Sequence, residues 1–139
     1  MDITVASDGK PVFIDIDDDG DDDLFVGAAG GFNFYQKIDV PLVPRWTLLP
    51  GNDLSLVIDG NSTSTAPALS DLDNDENLDL LTGIFFGDLI FFKNEGTIKN
   101  PSWSWETNDY LEQIAFFQTP TLTDIDADGD QDLFVGGEF

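Results

Sequence analysis

Short apolar runs alternate along the chain with clusters of Gly, Pro, Asn and Asp. LFVG (24–27), GFNFYQK (31–37), LLTG (80–83), GDLIFFK (87–93) and LFVG (133–136) are rich in Phe, Leu, Val and Ile. Runs this short, bounded by turn formers, are strand signals. No segment of ten or more residues carries apolar side chains at helical spacing. The pattern predicts an all-β chain of short strands.

The strands recur in order. Proline stands at 11, 67 and 120, opening PVFIDID, PALSDLD and PTLTDID. An acidic window follows each, then a short strand ending in glycine. GFNFYQK matches GDLIFFK, and PRW (44–46) matches PSW (101–103). A further strand is expected after each, around Leu54–Ile58 and Leu111–Phe117. The opening ITVASDG (3–9) aligns with EQIAFFQ (112–118). Residues 9–62, 63–118 and 119–139 are then successive units, with residues 2–7 as the last strand of a preceding one. A period of about 55 residues with four strands per unit predicts β-propeller-type blades. Each blade is a four-stranded antiparallel meander, and a single module spanning 1–139 holds about two and a half of them.

Composition then narrows the chemistry. The chain has 28 acidic and 5 basic residues, a formal net charge of −23. Nothing here neutralises a run of phosphates, which excludes autonomous nucleic-acid binding, and an anionic membrane surface would repel it. There is no cysteine and no histidine. Disulfides, thiolate chemistry and the commonest general base are therefore excluded. The 12 Phe and 3 Trp argue against an acidic disordered tail. Met1-Asp2 opens without a basic region or apolar run, so no export signal is expected among these residues. No stretch reaches the roughly 18 apolar residues of a membrane span.

Seventeen of the 28 acids fall in windows 15–23, 71–79 and 124–132, each of the form D-x-D-x-D-x-x-x-D. In a tight loop the side chains at positions 1, 3, 5 and 9 converge, and position 7 offers its backbone carbonyl. Such oxygen-only sets suit Ca²⁺, which takes six to eight oxygens. The expected ligands are Asp15, Asp17, Asp19, Asp23 and the Asp21 carbonyl in the first loop. In the second they are Asp71, Asp73, Asp75, Asp79 and the Asn77 carbonyl. The third offers Asp124, Asp126, Asp128, Asp132 and the Asp130 carbonyl. Position 6 is Gly20, Glu76 or Gly129. A β-carbon makes the left-handed turn there costlier by about 1 kcal/mol, so of about three Ca²⁺ sites the second is expected to be weakest. An EF-hand needs Glu at position 12, where this chain has Val26, Thr82 and Val135. Solvated acidic turns are the plainer alternative, and three such loops in register weigh against it.

The pattern P-x-x-x-D-x-D-x-D-G-D-x-D-L-F-V-G, followed by an apolar strand and P-x-W, resembles FG-GAP/VCBS repeats. Such repeats build the calcium-binding propellers of integrin α-subunits and many secreted microbial proteins. The resemblance covers nearly the whole chain and implies one Ca²⁺ per blade, in the hairpin loop between first and second strands. Glu76 departs from the pattern. So does the length, because a closed propeller uses at least four blades.

The remaining features carry less. Phe85-Phe86, Phe91-Phe92 and Phe116-Phe117 are expected to fill the space between blades, as are Trp46 and Trp103. Trp105 is the better candidate for an exposed contact. Ser62, Thr63, Ser64 and Thr65 read as a surface loop. No acid–base pair or phosphate-binding glycine motif is evident, so no enzyme is expected. The expected role is extracellular or cell-surface recognition or adhesion, with a protein or glycan ligand and structural Ca²⁺. An accessory fragment of an extracellular enzyme and an engineered assembly unit without its own ligand remain the alternatives. Apolar blade faces left open predict a homo-oligomer that completes a ring, a dimer by blade count.

Overall fold

A computed structural model describes residues 3, 8–28, 31–38, 45–48, 65–107, 110–111 and 115–138. Within them the chain is all-β, with ten strands and no helix. They are β1 (Lys10–Ile14), β2 (Asp23–Ala28), β3 (Gly31–Ile38), β4 (Arg45–Leu48) and β5 (Thr65–Ser70). The others are β6 (Asp79–Ile84), β7 (Leu89–Asn94), β8 (Trp103–Thr107), β9 (Phe116–Thr123) and β10 (Asp132–Glu138). β1–β4 and β5–β8 form two four-stranded sheets in chain order, and β9–β10 pair as a two-stranded sheet. Every pairing is antiparallel. No closed barrel or ring forms among the described residues.

The repeat in the sequence reappears as register. Pro11 faces Val26, Pro67 faces Thr82 and Pro120 faces Val135, so the three hairpins superpose residue on residue. Proline is tolerated here because the first strand lies at the edge of each sheet. β2 and β6 are buried along their whole length, which explains their near-continuous apolar runs. β6 lies between two sheets: Leu80 and Ile84 join the core shared with Phe25 of the first sheet, and Gly83 meets Gln118 of β9. β5 lies on β1 and β2, and β9 lies on β5 and β6. The core between the first two sheets joins Ile16, Phe25 and Phe34 to Leu69, Leu80, Ile90 and Phe92.

Glycine makes this stacking close. A β-carbon on Gly27 would stand 2.4 Å from the Thr65 carbonyl oxygen, and one on Gly83 would stand 1.8 Å from the Gln118 carbonyl oxygen. No side chain fits either gap. The Thr65 hydroxyl also donates to the carbonyls of Ala28 and Gly31, 3.2 and 3.0 Å away, tying the second sheet to the first.

Several expectations change. The fourth strand forms on the P-x-W segments themselves, at Arg45–Leu48 and Trp103–Thr107. Leu111 is a bend, and Phe116–Phe117 already belong to β9. Leu54–Ile58, residues 4–7 and Ser62–Ser64 lie outside the described residues. Thr65 is a buried strand residue and not part of a surface loop. Phe91–Phe92 and Phe116–Phe117 split because strand neighbours point to opposite faces, and Phe85–Phe86 split in the turn after β6. Phe92 is buried while Phe86 and Phe116 are exposed. Phe85 and Phe117 pack edge to face with centroids 4.4 Å apart. Trp105 is exposed, as expected, and Trp103 packs on the core.

Candidate metal centres

All three acidic windows become loops joining the first two strands of a sheet, after β1, β5 and β9. Their hydrogen bonds repeat. The first carboxylate accepts two backbone N–H groups, from positions 5 and 6. Asp15 takes those of Asp19 and Gly20 at 3.1 and 2.9 Å. Asp71 takes those of Asp75 and Glu76 at 3.1 and 2.9 Å. Asp124 takes those of Asp128 and Gly129 at 3.2 and 3.0 Å. The position-5 carboxylate accepts the position-7 N–H in each loop: Asp21 to Asp19, Asn77 to Asp75 and Asp130 to Asp128. These bonds curl the loop so that its carboxylates face inward.

Two residues per loop take left-handed backbone. At position 6 the φ angles are 91° for Gly20, 69° for Glu76 and 99° for Gly129. A β-carbon at Gly20 or Gly129 would meet nothing within 4 Å. The glycines are there for conformation and not for space. Glu76 adopts the same turn with a β-carbon, as its place in the repeat requires. Position 4 is also left-handed, at Asp18, Asn74 and Ala127, and no glycine in the sequence marked it.

Carboxylate oxygens converge at three places. Asp15, Asp17 and Asp19 bring theirs within 4.8 Å of one another, as do Asp71, Asp73 and Asp79, and Asp124, Asp126 and Asp132. Positions 1 and 3 thus converge in every loop, with position 5 joining in the first and position 9 in the others. Asp23, Asp75 and Asp128 stand outside these sets.

Position 9 also has a second duty. Asp23 Oδ1 accepts the Lys37 N–H at 2.7 Å, and Asp79 Oδ1 accepts that of Asn94 at 2.8 Å. Each carboxylate therefore pins the loop to the third strand of its sheet. Asp79 Oδ2 accepts the Leu72 N–H, and Asp132 Oδ2 that of Ile125. Asp23 is 0% exposed, and its Oδ2 has no hydrogen-bond partner, like Oδ1 of neighbouring Asp17. Burial, with Asp17 and Asp19 adding repulsion against the relief of the Lys37 N–H and, more weakly, the Ile16 N–H, pushes the Asp23 pKa up to about 6. Asp79 is raised for the same leading reason. Asp75, exposed and hydrogen-bonded by the Asn77 N–H, is lowered.

Three side chains escaped the sequence reading. Gln36 Nε2 donates to Asp17 Oδ2 at 2.5 Å. Lys37 pairs with Asp21, and Lys93 pairs with Asp73 and, at 3.6 Å, with Asp75. The signal was present: GFNFYQK and GDLIFFK end in lysine at the same register, in a chain with only 5 basic residues. Beside the second loop a groove of about 400 Å³ is lined by Asp71, Leu72, Asn74, Tyr110 and Asp130. It spans the second and third loops.

Oxygen is the only donor type in these sets, which suits a hard divalent cation of Ca²⁺ size. The partnerless buried oxygens of Asp17 and Asp23 fit the same ion, because a buried carboxylate without a counter-charge is costly. Comparison with protein-family models, curated proteins and solved structures returns no match.

Proposed function

We propose that the chain is a calcium-binding repeat module of the FG-GAP/VCBS type. Ca²⁺ in the three hairpin loops stiffens propeller-type blades, and the module serves recognition or adhesion outside the cell. The observation that carries this reading is Asp23, a fully enclosed carboxylate with one oxygen unpartnered beside converging acids. A cation supplies what that oxygen lacks. Three loops with the same amide-to-carboxylate bonds support one ion each. Millimolar extracellular calcium fills even weak sites of this kind.

A binding role is favoured over catalysis. Asp23 and Asp79, the carboxylates with raised pKa among the described residues, are both enclosed and touch no solvent. Neither reaches a substrate as a general acid. The groove between the second and third loops, with Tyr110 at its wall, and exposed Trp105 offer surface for a protein or glycan.

Calorimetric titration of chelator-stripped protein tests the reading. About three Ca²⁺ ions should bind, the second loop most weakly, and Mg²⁺ should substitute poorly because its octahedron is less adaptable. No heat of binding at millimolar Ca²⁺ overturns it.

A further inference from the structure

The two contacts between sheets are built alike. From one side comes the second strand, with a large apolar residue and, two positions later, a glycine. From the other comes the first strand, with its proline and the apolar residue two positions on. At the first contact Phe25 and Gly27 meet β5, where Pro67 Cδ lies 2.6 Å from a β-carbon placed on Gly27. Phe25 and Leu69 share one buried cluster. At the second, Gly83 meets Gln118 of β9, and Leu81 and Pro120 are both buried.

Each half occurs once more, without its complement among the described residues. On β10, Phe134 and Gly136 align with Phe25 and Gly27 and with Leu81 and Gly83. Phe134 is 46% exposed, where Phe25 and Leu81 are 1% and 0%. A β-carbon on Gly136 would meet only the Thr119 hydroxyl of its own sheet, at 3.0 Å. On β1, Pro11 and Phe13 align with Pro67 and Leu69. Both of those are buried, whereas Pro11 is exposed and Phe13 is 59% exposed. A socket and its plug thus stand open at opposite ends of one stack.

We propose that these faces bind each other between copies of this chain, head to tail. Phe134 and Gly136 of one copy seat Pro11 and Phe13 of the next, continuing the contact made twice within the chain. The joined faces are apolar, so burial drives the contact against the repulsion of two acidic chains. Because the two surfaces differ, the assembly closes into a ring if the rotation fits and otherwise extends. The inference is independent of the calcium reading, since it uses no acidic loop.

Light scattering on the 139-residue protein at moderate salt tests it. The expected mass is at least twice 15.2 kDa. Phe13→Asp and Phe134→Asp should each reduce the mass to that of a single chain. Both side chains are about half exposed and Phe13 gives up one ring contact, with Trp46 of its own sheet, so strand content by circular dichroism should stay unchanged. Mixing the two variants should restore a one-to-one pair, because each keeps the face the other has lost. A wild-type chain that stays monomeric at all concentrations overturns the proposal. So does a dimer that survives both substitutions, or a mixture that does not pair.

Discussion

Asp23 is held neutral more easily in the fold than in the unfolded chain, because its pKa rises from 3.8 to about 6. For a carboxylate raised in this way, the folded state binds the proton more tightly. The stabilisation is fully present below about 3.8 and is lost as pH rises through about 6. Without divalent cation, the melting temperature should therefore climb as pH falls from 7.5 to 5, and Asp23→Asn should flatten that climb. A steeper climb in the variant would contradict the burial of an unpaired charge. Glu76 carries the other residue-scale expectation. Its φ of 69° with a β-carbon costs about 1 kcal/mol relative to glycine. Glu76→Gly should tighten Ca²⁺ binding at the second loop by about fivefold, read by calorimetry. Weaker binding would make Glu76 itself a ligand. The acidic hairpin loops and the position-6 turn were legible because spacing alone places them. The unpartnered oxygen of Asp23 was not, since it depends on the packing of β2 and β3 around it.

Between elements, the repeated glycine that closes each LFVG or LLTG run governs the stacking of sheets. A methyl group on Gly83 would collide with backbone at Gln118, and backbone yields less readily than a side-chain tip. Gly83→Ala should destabilise by about 1–3 kcal/mol or more, the usual range for overpacking. Gly136→Ala, with only a hydroxyl at 3.0 Å, should cost far less in an isolated chain. Urea unfolding of the two variants checks the difference. The hairpins and their register could be read from alternation and turn residues. The fourth strand was misplaced because its pairing with β3 or β7 is a cross-strand matter. Trp46 pairs with Lys37 and Trp105 with Phe92, and no run of apolar residues announces either strand. Nor could the phenylalanine pairs be resolved from sequence, since both members are equally apolar and only strand orientation separates them.

Across the whole molecule, charge opposes compaction. The net charge of −23 is gathered mostly in three loops, and three divalent ions would offset six of those charges. Ions with no affinity for the fully unfolded chain would stabilise the fold by about 2.7 kcal/mol per site at a hundredfold excess over Kd. Chelation should lower the melting temperature markedly, and added monovalent salt should recover part of the loss by screening. A melting curve indifferent to chelator would remove calcium from the account. The same self-repulsion keeps acidic chains apart, so salt should also favour any contact between copies.

Each acidic loop joins two strands that pair with each other, and all its carboxylates lie within nine consecutive residues. Closing so small a loop costs little chain entropy. The contact of Gly27 with Thr65, in contrast, joins segments far apart in sequence and must wait for that longer closure. A cation can therefore seize a hairpin before any sheet has met its neighbour. On this order of events calcium bound as proposed would act early, on the rate at which the chain folds, and much less on the rate at which it comes apart. With calcium bound as proposed, the acidic loops would act as timers of folding, and the glycine contacts would be the locks that close last.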